Sequence, residues 1–259
     1  MNQRIKSRVK YTASHGAGLV RLKQIGEAVA DLFFPPRCVV CGRLGAWLCT
    51  GCMAKIEMIR PPVCLQCGLP ADAHSTDAPC HVPPFLDGLR ACAFHSGPLR
   101  AAIHHLKYRD LTALAAPLGQ MMADAWAALD GNWLPQAVVP VPLYPRRQRQ
   151  RGYNQSALLA RELAVALQLP VLDNLLQRVK ATVPQVDLDV EQRRINVQDA
   201  FRCEPGSVAG LSVLLVDDVC TTGATLSAAC RALKEAGASS VLAYTLARAK
   251  PPGYQPFTL

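Results

Sequence analysis

Aromatic side chains are scarce in this chain, at 6% of its 259 residues. A surface that stacks nucleic-acid bases interleaves aromatic with basic residues, so such a platform is not expected. Also missing is any apolar run approaching the roughly 20 residues that a membrane-spanning helix requires. Ahead of Pro35 a basic start leads into a short apolar stretch, residues 28–34, which contains Asp31 and follows Glu27. No small-residue cleavage pattern accompanies it, and a signal peptide is not expected. Acids are absent from the first 23 positions, which hold Arg4, Lys6, Arg8, Lys10, Arg21 and Lys23. Those first 23 positions therefore carry six of the nine net positive charges, within an N-terminal tail, residues 1–33, that reads as a solvated extension. Contact of this arm with nucleic acid or an anionic surface is the alternative. The charge left over does not by itself demand a polyanionic partner.

What the chain has in plenty is apolar residues, half of its length, enough for a sizeable core. It also has eleven cysteines, seven of them between residues 38 and 80. They fall as Cys38-x-x-Cys41-Gly, Cys49-x-x-Cys52, Cys64-x-x-Cys67-Gly and Cys80. A C-x-x-C turn aims two thiolates at one metal, and two such turns complete a closed, structural tetrahedron. Cys38, Cys41, Cys49 and Cys52 are thus expected to hold zinc. Cys64, Cys67 and Cys80 supply three ligands of a second site, whose fourth is His74, Asp77, His81 or absent. Buried or redox-active thiols are the alternative reading. A segment this small has little core of its own, so metal would supply folding energy. Residues 34–84 are read as this unit, closed by Pro83-Pro84.

Residues 85–259 read as one domain in which strand and helix patterns alternate from about residue 137 to 246, which predicts an α/β fold with a doubly wound parallel sheet. A strand is expected at Leu89–Phe94, and a helix from Pro98 to Tyr108 in which His104 and His105 are ordinary helix residues. A second helix follows at about Leu111–Leu129, then a buried strand at Ala137–Leu143. Behind that strand Arg146, Arg147, Arg149 and Arg151 form a basic loop fit for a highly charged anion such as pyrophosphate. A helix then runs to about Gln168 and a strand over Leu169–Arg178. Residues 180–201 read as a long polar lid, with Gln185, Arg193, Arg194 and Asn196 as its working residues.

The most telling stretch is Val213-Leu-Leu-Val-Asp217-Asp218-Val-Cys220-Thr221-Thr222-Gly223-Ala224-Thr225. An apolar β-branched run ending in a hydroxyl-rich turn that opens a helix is a strand followed by a phosphate cradle. Asp217 and Asp218, expected at the strand's carboxyl end, suit a vicinal diol, gripped directly or through a divalent cation. Phosphate and diol side by side describe a phosphorylated ribose. A solvated acid pair before a plain N-cap is the bland alternative.

This string resembles the loop that binds phosphoribosyl pyrophosphate (PRPP) in type I phosphoribosyltransferases. Taken with the tandem knuckles, Ile103–Tyr108, Val139–Pro142, Arg151–Gln155 and Gln185…Arg193…Asn196…Phe201, it resembles the ComF family over about residues 34–248. That resemblance implies a double zinc ribbon fused to a phosphoribosyltransferase domain, in a bacterial cytosolic protein linked to competence and DNA uptake. It implies PRPP with Mg²⁺ as ligand, Asp217 and Asp218 on the ribose, and Thr221–Thr225 on the 5′-phosphate. Arg146, Arg147 and Arg151 with the lid would meet pyrophosphate. Single-stranded DNA and proteins of the competence machinery are the expected partners. A non-catalytic DNA-handling module using the fold as a nucleotide sensor is the second function class. The second ribbon departs from the family pattern, ending in Cys80-His81 where a further C-x-x-C is expected.

Overall fold

The computed structural model describes residues 35–73, 80, 84–129, 133–180, 199–251 and 254. The expected lid residues Gln185, Arg193, Arg194 and Asn196, the candidate ligands His74, Asp77 and His81, and the basic tail lie outside the described residues.

Four parallel strands make the central sheet, in the order β1 (Gly88–Phe94), β6 (Ser240–Arg248), β5 (Ser212–Cys220), β2 (Ala137–Pro140). Their near-continuous apolar runs reflect burial on both faces. Along β5 alternate side chains serve different cores, Leu214 and Val216 on one face, Val213 and Leu215 on the other. The first face is covered by α2 (Gly97–Tyr108), α3 (Ala115–Ala127) and α5 (Gln155–Leu167), and the second by α6 (Ala224–Glu235). The helix after β2 thus packs on one face and the helix after β5 on the other. A crevice opens between neighbouring strands where such connections part, at their carboxyl ends.

Several elements differ from expectation. The strand at Ala137–Leu143 is laddered only over Ala137–Pro140, with Val141 N–H adding a last bond to Val216 O at 2.9 Å. The basic loop is instead a short helix, α4 (Pro145–Arg151), begun by Pro145 and ended by Gly152 at φ +80°. The strand foreseen over Leu169–Arg178 is broken by a turn. Val171 bridges the outer edge of β2, whereas β3 (Leu176–Arg178) pairs antiparallel with β4 (Phe201–Cys203) in a separate two-stranded sheet. That small sheet stands at the two ends of the segment read as a lid.

The cysteine-rich segment, which contains the short helix α1 (Thr50–Met53), is not a detached module. Cys38, Leu48, Cys49, Cys52 and Ile56 share a core with α2 and α3. The segment also covers the free edge of β1. Ile59 N–H donates to Cys92 O at 3.0 Å, Phe94 N–H to Glu57 O at 2.8 Å and Leu89 N–H to Gln66 O at 2.8 Å. An unpaired sheet edge is thereby closed. Among the described residues no helix is long and apolar enough to cross a membrane.

Candidate functional site

Strand β5 runs two residues past Asp218, to Cys220, because Asp217, Val219 and Cys220 keep pairing with Thr245, Ala247 and Arg248. Asp217 and Asp218 are consequently buried, 9% and 3% exposed. Their polar groups are met by partners from other elements. Ser156 Oγ donates to Asp217 Oδ1 at 2.7 Å, and the Asp218 N–H donates to the same oxygen at 2.9 Å. Lys107 Nζ lies 2.9 Å from Asp218 Oδ2. Burial first, then the neighbouring Asp218 charge, pushes the Asp217 carboxyl up to about 7, against Ser156 and Lys107, which oppose the rise. Burial alone would lower the Lys107 ammonium, but the Asp218 charge outweighs it and holds it above its usual range.

Immediately beyond β5, Gly223 takes a left-handed φ of +78° as the N-cap of α6. Thr222 Oγ1 accepts from Ala224 N–H at 3.5 Å. Asp217, Thr221, Thr222, Gly223, Ala224 and Thr225 line one small open pocket. The expected phosphate turn and the nearer acid of the pair are therefore adjacent, with helix N–H groups pointing into the gap.

The Arg151–Gln155 stretch works as a clamp. Asn154 caps α5 by accepting from Ser156 N–H at 3.0 Å, while its Nδ2 donates to Val141 O at 3.0 Å. Tyr153 Oη donates to Leu106 O, Arg151 donates to Gln155 Oε1, and the Arg151 guanidinium stacks 5.3 Å from the Tyr108 ring centre. The ends of β2, α2 and α5 are thus tied together beside the acid pair. Arg146, Arg147 and Arg149 stand exposed on α4. Arg178 of β3 faces this region too: burial pushes it down, and Asp217 opposes that. His105 Nδ1 lies 3.0 Å from Ala101 O, and His104 packs 5.1 Å from Tyr108, both within α2. Lys107 and Ser156 are the site residues that sequence reasoning passed over. Lys107 lies inside the stretch Ile103–Tyr108 and Ser156 directly follows Arg151–Gln155, and a lone polar residue in a helix pattern carries no signal of its distant partner.

The cysteines form two clusters, Cys38/Cys41/Cys49/Cys52 and Cys64/Cys67/Cys80, with sulfurs in each within 4.8 Å of one another. Cys41 and Cys49 sulfurs are 3.6 Å apart, Cys64 and Cys80 3.5 Å. A tetrahedron with Zn–S of about 2.3 Å has edges of about 3.8 Å, whereas a disulfide is about 2.05 Å. Cys49 N–H also points at Cys38 Sγ, 3.5 Å away. Burial would raise the Cys38 thiol, but main-chain N–H groups of Cys49, Cys41 and Val40 outweigh it and bring it to about 6. Burial and the neighbouring sulfurs push Cys52 up to about 12. Four crowded sulfurs ionise together only around a cation, so the set fits a structural zinc. The second cluster supplies three ligands among the described residues.

Comparison with known proteins agrees with this geometry. A family model described as a double zinc ribbon domain matches residues 29–82, and one described as a phosphoribosyl transferase domain matches residues 153–256. The chain is 35% identical over 228 residues to "DNA utilization protein YhgH" of Salmonella typhimurium, covering 84% of this chain and 99% of that protein. It is 33% identical over 228 residues to "Competence protein F" of Haemophilus influenzae, with the same coverage of 84% and 99%. Among solved structures, the glutamine PRPP amidotransferase from B. subtilis is similar over 51% of this chain and 25% of that one, at 23% identity and TM-score 0.35.

Proposed function

The chain belongs to the ComF family, joining a double zinc ribbon to a type I phosphoribosyltransferase fold, and on that premise we propose that it binds PRPP and transfers the phosphoribosyl group to a nitrogen nucleophile with release of pyrophosphate. The observation that carries this reading is one pocket joining a buried acid of the pair to the hydroxyl-rich turn that opens α6. In it the 5′-phosphate rests on the N–H and hydroxyl groups of Thr221–Thr225, and Asp217 and Asp218 accept hydrogen bonds from the ribose hydroxyls. Arg146 and Arg147 on α4, with Arg151, face the diphosphate. Gln185, Arg193 and Asn196, outside the described residues, are proposed to meet pyrophosphate and to keep water from the reacting carbon. Mg²⁺, if bound through PRPP, would supply positive charge for the diphosphate. The protein's own share is positioning and a preorganised field, in which the acid pair favours positive charge on the sugar. Zinc in the cysteine clusters has a structural role.

A second reading rests on a different observation. Tyr108 is 64% exposed, stacked under Arg151, in a chain that carries three further exposed arginines on α4. An aromatic among arginines suits single-stranded DNA, and the printed names of the relatives speak of competence and DNA utilization. Here the fold would sense a nucleotide while handling DNA beside competence-machinery proteins in the cytoplasm. Calorimetry with PRPP and Mg²⁺, then pyrophosphate release with a screen of nucleobases, separates the two. The transferase reading expects PRPP binding that falls tenfold or more, at least about 1.4 kcal/mol, in the Asp217→Asn/Asp218→Asn double variant. Unchanged affinity in that variant removes the assignment. PRPP binding without pyrophosphate release under any base favours the sensor.

A further inference from the structure

An adjacent pair of buried carboxylates invites a divalent cation, yet in this protein a side chain already stands in that place. Lys107 Nζ sits 2.9 Å from Asp218 Oδ2, with only 20% of the lysine side chain and 5% of the aspartate side chain exposed. An ammonium at that distance excludes a metal from the same oxygen, and Mg²⁺ demands a near-ideal shell of six oxygens. Oδ1 of Asp217 is likewise engaged, by Ser156 Oγ and the Asp218 N–H. One oxygen of each carboxylate remains for a hydroxyl donor, which suits a diol better than a coordination sphere. A resident metal therefore does not fit the acid pair.

The lysine is held in place by two sequence stretches, Ile103–Tyr108 and Arg151–Gln155. It occupies the last turn of α2 between two anchored neighbours. Leu106 O accepts the Tyr153 hydroxyl, and the Tyr108 ring lies against the Arg151 guanidinium. Asn154 ties the same segment to Val141 at the end of β2. His95 after β1 and Arg178 on β3 are the other basic groups facing the pair.

We propose that Lys107 is the built-in counter-cation of the acid pair: it holds Asp218 for the sugar hydroxyls, and the free protein binds no divalent ion there. Lys107 is a positioning residue, acting through Asp218. This inference rests on the PRPP reading for the identity of the sugar, but its test contains no PRPP. Full-length zinc-loaded protein is titrated with Mn²⁺ alone and followed by electron paramagnetic resonance. The wild type is expected to show the same Mn²⁺ uptake as Asp218→Asn, that is, none at the pair. Lys107→Met is expected to gain one Mn²⁺, lost again in Lys107→Met/Asp218→Asn, while Lys107→Arg behaves as wild type. Wild-type uptake abolished by Asp218→Asn overturns the proposal, as does a folded Lys107→Met that gains no ion. If Lys107→Met does not fold, the wild-type and Asp218→Asn titrations decide alone. A protein that binds no PRPP removes the functional reading but leaves the Mn²⁺ outcomes intact. Where PRPP does bind, Lys107→Met should weaken it about tenfold and Lys107→Arg restore it, since only the latter keeps a charged donor.

Discussion

Asp217 sits among groups that pull its proton in opposite directions. Burial and the Asp218 charge raise it to about 7, and Ser156 and Lys107 restrain that rise. A carboxyl near 7 when folded and near 4 when unfolded binds its proton more tightly in the native state. Its contribution to stability is therefore complete below about pH 4 and is lost as pH rises through 7. Asp217→Asn removes that loss. The variant should exceed the wild type in stability at pH 8 by roughly 1–3 kcal/mol, with the gap closing towards pH 4. Urea unfolding at several pH values measures this, and a gap independent of pH would contradict the assignment. Such destabilisation at a binding residue is the usual cost of a preorganised site. The same residue was legible in the sequence because two acids end an apolar run. Its partners were not, since nothing in the residues around Lys107 or Ser156 points to β5.

At the scale of elements, the second knuckle lies close against β1. Gly68 has φ +68°, and a Cβ there would stand 2.2 Å from Leu89 O. Arg90 Nη1 donates to Leu65 O at 2.8 Å, and Arg248 donates to Cys67 O from the neighbouring strand. Gly68→Ala therefore has to lift the knuckle from the sheet edge. A loss of roughly 2–4 kcal/mol is expected, as for other strained or clashing substitutions, read as a fall in the denaturation midpoint. The clamp between α2 and α5 is weaker. Tyr153→Phe removes one hydrogen bond to Leu106 O and should cost about 1 kcal/mol, with a larger proportional effect on PRPP affinity because Lys107 lies on the same helix end. Equal affinity in that variant would show that the clamp serves the fold alone. The knuckles themselves were readable from spacing, and the hydroxyl-rich turn marked where a helix opens, which is where α6 begins at Ala224. The basic loop was misread because Pro145 and Gly152 were not weighed as a helix start and stop.

At the scale of the whole molecule, ribbon and sheet domain share one buried core. Three of the four cysteines of the first cluster, with Leu48 and Ile56, belong to the core that also contains Leu99, Ala102, Ile103 and Leu106 of α2. Removing zinc should therefore destabilise the sheet domain as well as the ribbon. Chelation is expected to lower the single thermal transition of the full chain, with hydrogen exchange rising in α2 and α3. Exchange confined to residues 35–73 would mean that the two parts are independent. Elemental analysis should find at least one zinc per chain, and a second if the Cys64 cluster recruits a fourth ligand; Cys64→Ser should then lower the count by one.

What the sequence determined by itself is local chemistry: a strand, a turn and a helix in one contiguous string, and paired C-x-x-C turns at metal-ligand spacing. These follow from side-chain period and turn preference, which act over a few residues. The fold class was legible for the same reason, because alternation of the two periods marks a doubly wound sheet. Tertiary structure alone decided the strand order, the burial of the ribbon against β1, and the pairing of Lys107 with Asp218 and of Ser156 with Asp217. Those contacts join segments far apart in the chain. They depend on which strand lies beside which and on how far β5 runs before its turn. The low dielectric that makes the ion pair matter exists only once those segments have packed.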